Sequence, residues 1–131
     1  MAKPYGAQQY KQTQVMTANR GQLVILLYEG AIKQVRRAID CVDRKDMAGK
    51  GVSIGKAHDI LNELNSALDH SVGGKVSQDL ENLYNFCVEQ LLKANAENTR
   101  APLETVGRIL ENLLEGWRGA VAELTKSGEL K

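Results

Sequence analysis

Phenylalanine and tryptophan occur once each in these 131 residues, and cysteine only twice. Cys41 and Cys87 fall in separate amphipathic patterns at no metal-like spacing, so neither a disulfide scaffold nor a thiolate metal site is expected. Both read as small packing residues, kept as thiols in a reducing compartment. An excess of one charge is also lacking. The net charge is +1 with both signs interspersed, which leaves no concentrated field for phosphates or an anionic membrane and argues against nucleic acid as a partner. No run approaches the roughly 20 apolar residues of a spanning helix, and the opening residues carry no apolar core of signal-peptide length. A cytosolic protein without membrane insertion is expected.

Catalytic constellations are missing as well. No Ser, Cys or Thr nucleophile has a recognisable base, and the acidic residues spread over outer faces instead of converging. A di-metal bundle needs Glu-x-x-His pairs, but the residues three before His58 and His70 are Gly55 and Ala67. The two histidines also point about 120° apart on one helix. The stretch G-K-G-V-S-I-G-K at 49–56 misses the phosphate-loop spacing and has no strand before it. No enzyme activity, no metal and no cofactor are expected.

What the chain does contain is helical periodicity. In 22–42, a step of 100° per residue gathers Val24, Leu27, Tyr28, Ala31, Ile32, Val35, Ala38, Ile39 and Val42 on one face. Asn19 suits an N-cap, with Gln22 placed to reach back to it, so the first helix is expected to start near 19–20 and fade near 44–47. Residues 1–18 show no period and read as an arm, frayed or laid on the body. A second helix presents Ile54, Ala57, Ile60, Leu61, Leu64, Ala67 and Leu68, and Gly73-Gly74 ends it. A third, over 76–97, aligns Leu80, Leu83, Tyr84, Cys87, Val88, Leu91 and Ala94. Pro102 suits the first turn of the fourth, where Leu103, Val106, Leu110, Leu113, Trp117, Ala120 and Leu124 repeat at 3-4 spacing. The expected fold is all-α, an antiparallel up-down-up-down four-helix bundle. It occupies 19–125, after a mobile N-terminal arm at 1–18 and before a loose tail at 126–131.

Two residues break this order. Leu26 falls among Glu29, Lys33, Arg36, Arg37 and Asp40 on the outer face of the first helix, and Phe86 falls among Asn82, Asn85, Glu89 and Lys93 on the third. Each is either ordinary surface or part of a binding site. They would share one groove only if their helices are neighbours.

The run L-V-I-L-L-Y-E-G-A-I at 23–32 resembles the L-x-x-M-L-Y-D-G-A-I signature of the flagellar export chaperones that bind flagellin, the FliS family. Tyr10-Lys11-Gln12, G-G-K-V-S-Q-D-L-E-N-L-Y-N-F at 73–86, L-L-K-A-N at 91–95 and Trp117 follow in the family's order and spacing. The resemblance implies a bundle that captures the disordered C-terminal segment of flagellin, one to one, wrapping it around the helices, blocking premature polymerisation and presenting it to the flagellar export gate. It implies an arm that caps an apolar groove through Tyr10 and Val15. The expected groove comprises Leu23, Ile25, Leu26, Tyr84, Phe86, Leu91 and Leu92, with Asn95 hydrogen-bonding extended backbone. The chain departs from the family's Thr-Ala-Ser-Pro entry to the first helix, having Thr17-Ala18-Asn19-Arg20 without the Pro, and Gln22 stands where Glu is usual. A bundle that self-associates through the same apolar positions is the competing reading.

Overall fold

The computed structural model describes the backbone of residues 5–127 and the side chains of residues 20–123 and Lys126. The described chain is helical throughout: α1 (Tyr5–Arg44), α2 (Met47–Ser66), α3 (His70–Gly73), α4 (Lys75–Glu97) and α5 (Ala101–Ser127). The first helix differs from expectation, because its backbone runs on through Asn19 to Tyr5 and no helix starts at the Asn19–Gln22 capping pair. The expected cap residues Tyr10 and Val15 lie in this extension, and their side chains are outside the described set.

Chain reversals are set by local chemistry. Lys45 adopts a left-handed φ of 61°, and Asp46 then caps α2 by accepting a hydrogen bond from the Gly49 N–H at 2.9 Å. A Cβ on Gly49 would lie 2.8 Å from the Cys41 sulfur, so this close approach of α2 to α1 requires glycine. The expected stop at Gly73-Gly74 belongs to a different helix. α2 ends at Ser66, leaving Ala67 as its exposed C-cap, and the short α3 is inserted with Asp69 capping it. Gly74, at φ +56°, then turns the chain into α4. Asn98 takes the left-handed conformation after α4 and returns its N–H to the Ala94 carbonyl. Pro102 is buried in the first turn of α5, where no N–H is needed.

The four long helices form a ring in which α1 touches α2 and α5, α4 touches α2 and α5, and, among the described residues, neither diagonal pair comes into backbone contact. Cross-helix contacts fix the directions. Ion pairs Glu29–Arg118, Arg36–Glu111 and Asp43–Arg100 join α1 to α5 in reversed order, and Lys50–Asn95 and Asn65–Asn85 do the same for α2 and α4. Neighbours are therefore antiparallel. The core holds Tyr28, Val35, Leu61, Cys87, Leu91, Leu103, Val106 and Leu110, all fully enclosed. Both cysteines are free and buried, as read from their patterns.

One polar contact crosses the diagonal. The hydroxyls of Tyr28 on α1 and Tyr84 on α4 lie 2.5 Å apart at the centre of the bundle. Burial pushes both phenol groups above their ordinary range, and each hydroxyl stays a neutral hydrogen-bonding group.

Candidate apolar docking surface on the fourth helix

Seams of the bundle differ in how they are closed. Between α1 and α5, the three ion pairs stand at seven-residue intervals along α1 over Ile25, Ile32, Leu114 and Val121, whose side chains are buried. Such half-exposed pairs add little stability, a fraction of a kcal/mol each. They do cover this seam with charge.

α4 is the opposite case. Val76 (66% exposed), Leu83, Phe86 (41%) and Leu92 (55%) all lie on its surface. Val76, Leu83 and Phe86 follow 7- and 3-residue intervals, so they form one ridge. Leu83 was expected in the core stripe and instead stands at its solvent edge. The facing side of α5 explains why. Because 107, 111, 114 and 118 on α5 serve α1, the stripe Ile109, Leu113, Gly116, Ala120 is the one turned to α4. Its upper half has almost no side chain. A Cβ on Gly116 would meet nothing within 4 Å among the described residues, and Ala120, read as a core position, is exposed. Tyr28 hydrogen-bonds to Tyr84 and has Trp117 as a neighbour, which puts these two residues at similar height. Leu83 and Phe86 thus stand exposed on the flank of α4 nearest the small residues of α5.

On the other flank, α4 meets α2. The contacts Lys50–Asn95 and Asn65–Asn85 bracket this seam, and interpolating between them places Leu92 level with Ile54 and Gly55. Gly51 and Gly55 leave open space here too, and Met47 is half-exposed beside them. On α1, by contrast, a Cβ on Gly30 would lie 3.4 Å from the Ile60 side chain.

Placement of the expected groove residues is mixed. Phe86, Leu92 and Asn95 are exposed on α4, and Leu23 is half-buried on α1. Ile25, Tyr84 and Leu91, also expected in the groove, are buried in the core, because their angular positions point between helices. They support the surface from below. Leu26 is 62% exposed but on α1, diagonally opposite α4. The condition for a single shared groove is not met, and Leu26 and Phe86 face away from each other.

Sequence reasoning missed Lys50. It is 5% exposed, with its ammonium donating to the Asn95 carbonyl at 2.9 Å and to the Asn98 side-chain oxygen. A lysine set between two glycines gives no signal of burial. The only trace was Asn98, a residue type suited to a left-handed helix end.

No group of three metal-ligating side chains occurs among the described residues, and none of their helices is long and apolar enough to cross a membrane. What the surface offers is apolar area and a few amides, the chemistry of peptide docking.

A bacterial flagellar chaperone of known crystal structure superposes with a TM-score of 0.76 over 91% of this chain and 97% of its own, at 22% identity, so the fold is shared. The flagellar secretion chaperone FliSB of Pseudomonas aeruginosa is 34% identical over 115 residues, covering 85% of this chain and 91% of the relative. The flagellar secretion chaperone FliS of Salmonella typhimurium is also 34% identical, with 86% and 84% covered. That of Bacillus subtilis is 30% identical, with 90% and 86% covered. The family model described as flagellar protein FliS matches residues 1–124. This chain belongs to the FliS family of flagellar secretion chaperones.

Proposed function

We propose that the protein is a cytosolic chaperone that binds the disordered C-terminal segment of flagellin, one to one, holds it unpolymerised and hands it to the flagellar export gate. The observation that carries the reading is the asymmetry of the bundle: charge covers the α1/α5 seam, while both flanks of α4 present leucine, valine and phenylalanine beside glycines. A segment that folds on binding spends roughly 2–5 kcal/mol on ordering. A large apolar side chain taken from full exposure to burial returns roughly 1.5–3 kcal/mol, so Leu83, Phe86 and Leu92, each already partly covered, offset only part of that cost and further apolar contacts along the segment supply the rest. The open glycine positions admit the segment's backbone close to the helices. The arm at 1–18, through Tyr10 and Val15, covers part of the apolar surface in the free protein and gives way to cargo, which requires the helical backbone at 5–18 to break from the line of α1. The protein does no covalent chemistry.

Co-purification with flagellin tests the reading. Full-length flagellin is expected to form an equimolar complex, and flagellin lacking its C-terminal segment is expected to form none. Undiminished binding to the truncated cargo overturns it.

A further inference from the structure

We propose that Lys50 is a positioning residue for cargo binding: it holds the last two turns of α4, which carry Leu92 and Asn95, in the place where a peptide laid along the α2/α4 seam meets them. The inference rests on the function proposed above.

Lys50 is the only buried charged side chain among the described residues. Burying an ammonium is costly, and a well-packed apolar residue in its place is often the more stable choice. A buried cation with two directed hydrogen bonds does something an apolar residue does not: it fixes distance and orientation. Its acceptors are the Asn95 carbonyl and the Asn98 side chain, both at the C-terminal end of α4, where unpaired carbonyls and the helix dipole favour a cation. Asn98 is itself held in a left-handed conformation. The clamp therefore joins the first turn of α2 to the last turn of α4. At the other end, the polar side-chain contact across the same seam among the described residues is the exposed amide pair Asn65–Asn85. Between the two ends, Gly51 and Gly55 contribute no side chains to hold the helices apart. Without the clamp, nothing polar fixes where Leu92 stands relative to α2.

The test uses the full chain and a synthetic peptide of the flagellin C-terminal segment, with affinity measured by calorimetry at a temperature where every variant is folded. Lys50→Met, which keeps the length and loses the donors, is expected to weaken binding about tenfold, the size of a substantial pairwise coupling. In a Leu92→Ala background the same change is expected to cost less than twofold. Hydrogen exchange should rise in the last turn of α4 and stay unchanged in α1. A merely stabilising role predicts a lower melting temperature with unaltered affinity, and that result overturns the proposal. An equal loss in the presence and absence of Leu92 does so too. Should Lys50→Met fail to fold, Asn98→Gly removes the side-chain acceptor while tolerating the left-handed conformation, and is expected to give the same Leu92-dependent loss. If the wild-type chain does not bind the peptide, the proposed function fails before this inference is reached.

Discussion

The hydroxyl contact between Tyr28 and Tyr84 shows how a buried polar pair acts in a core this small. Tyr28 has Trp117 as a second neighbour, whereas Tyr84 depends on Tyr28. Tyr28→Phe therefore strands the Tyr84 hydroxyl, at an expected cost of about 1–3 kcal/mol. Replacing both tyrosines removes the stranded group, so the double variant should recover part of the loss. Urea unfolding of the three variants gives the cycle, and a double variant weaker than Tyr28→Phe alone refutes the account. Cys87 makes a second residue-scale prediction. Burial raises its thiol from 9.0 to about 11, so in alkali the unfolded chain loses this proton before the native one does. Unfolding free energy is then unaffected below about pH 9 and declines as pH rises from 9 towards 11. Tyr28 and Tyr84, shifted in the same direction, steepen the decline above pH 10. Cys87→Ala should flatten the slope between pH 9 and 10 even if it lowers stability overall.

Helices as elements carry glycines of two kinds, and only the structure separates them. Gly51 and Gly119 are helical and open, with nothing in the way of a Cβ among the described residues. Ala at either position is expected to raise stability by up to about 1 kcal/mol from helix propensity alone. Gly49→Ala should instead destabilise by about 1–3 kcal/mol, since its Cβ presses on Cys41 and on the capping carboxylate of Asp46. Thermal melts of the three variants decide this, and a stabilised Gly49→Ala shows that the α1/α2 corner is looser than described. The same distinction marks how far the sequence could be read. Periodicity identified the four long helices, because stripes such as Leu103, Val106, Leu110 and Leu113 depend only on residue spacing. It overran at Leu83 and Ala120, which keep the core period but lie where α5 has no bulk to cover them. The short α3, the Asp46 cap and the buried Lys50 depend on tertiary contacts that no local pattern records. The exposure of Phe86 was legible because an apolar residue on a polar face stands out, whereas that of Leu92, at the edge of its stripe, was not. Tyr84 and Leu91 were assigned to the groove from matched motifs, although their period had already placed them inside.

At the scale of the whole molecule, the ring order of the helices determines what one ligand can touch. α1 and α4 occupy opposite corners, and with helix axes about 8–10 Å apart the outward side chains of Leu26 and Phe86 are separated by roughly 20 Å. The Tyr28–Tyr84 contact places them at similar height. A compact peptide lying in one seam covers only one of them, and a segment that covers both must travel around the bundle. Two contacts so separated share no partner atoms, and an added charge at one is screened from the other, the Debye length being about 8 Å at physiological salt. Phe86→Asp is expected to weaken binding of the flagellin C-terminal segment by about tenfold or more, since a covered aromatic is replaced by a carboxylate. Leu26→Asp should weaken it independently, and the double variant should equal the sum of the two within about 0.5 kcal/mol. Far-UV circular dichroism should show unaltered helicity in all three. A coupling well beyond that margin would mean that the two residues meet the same stretch of cargo, which the diagonal placement of α1 and α4 does not permit. Loss at Phe86 with none at Leu26 would confine the cargo to the α4 side and leave Leu26 as ordinary surface.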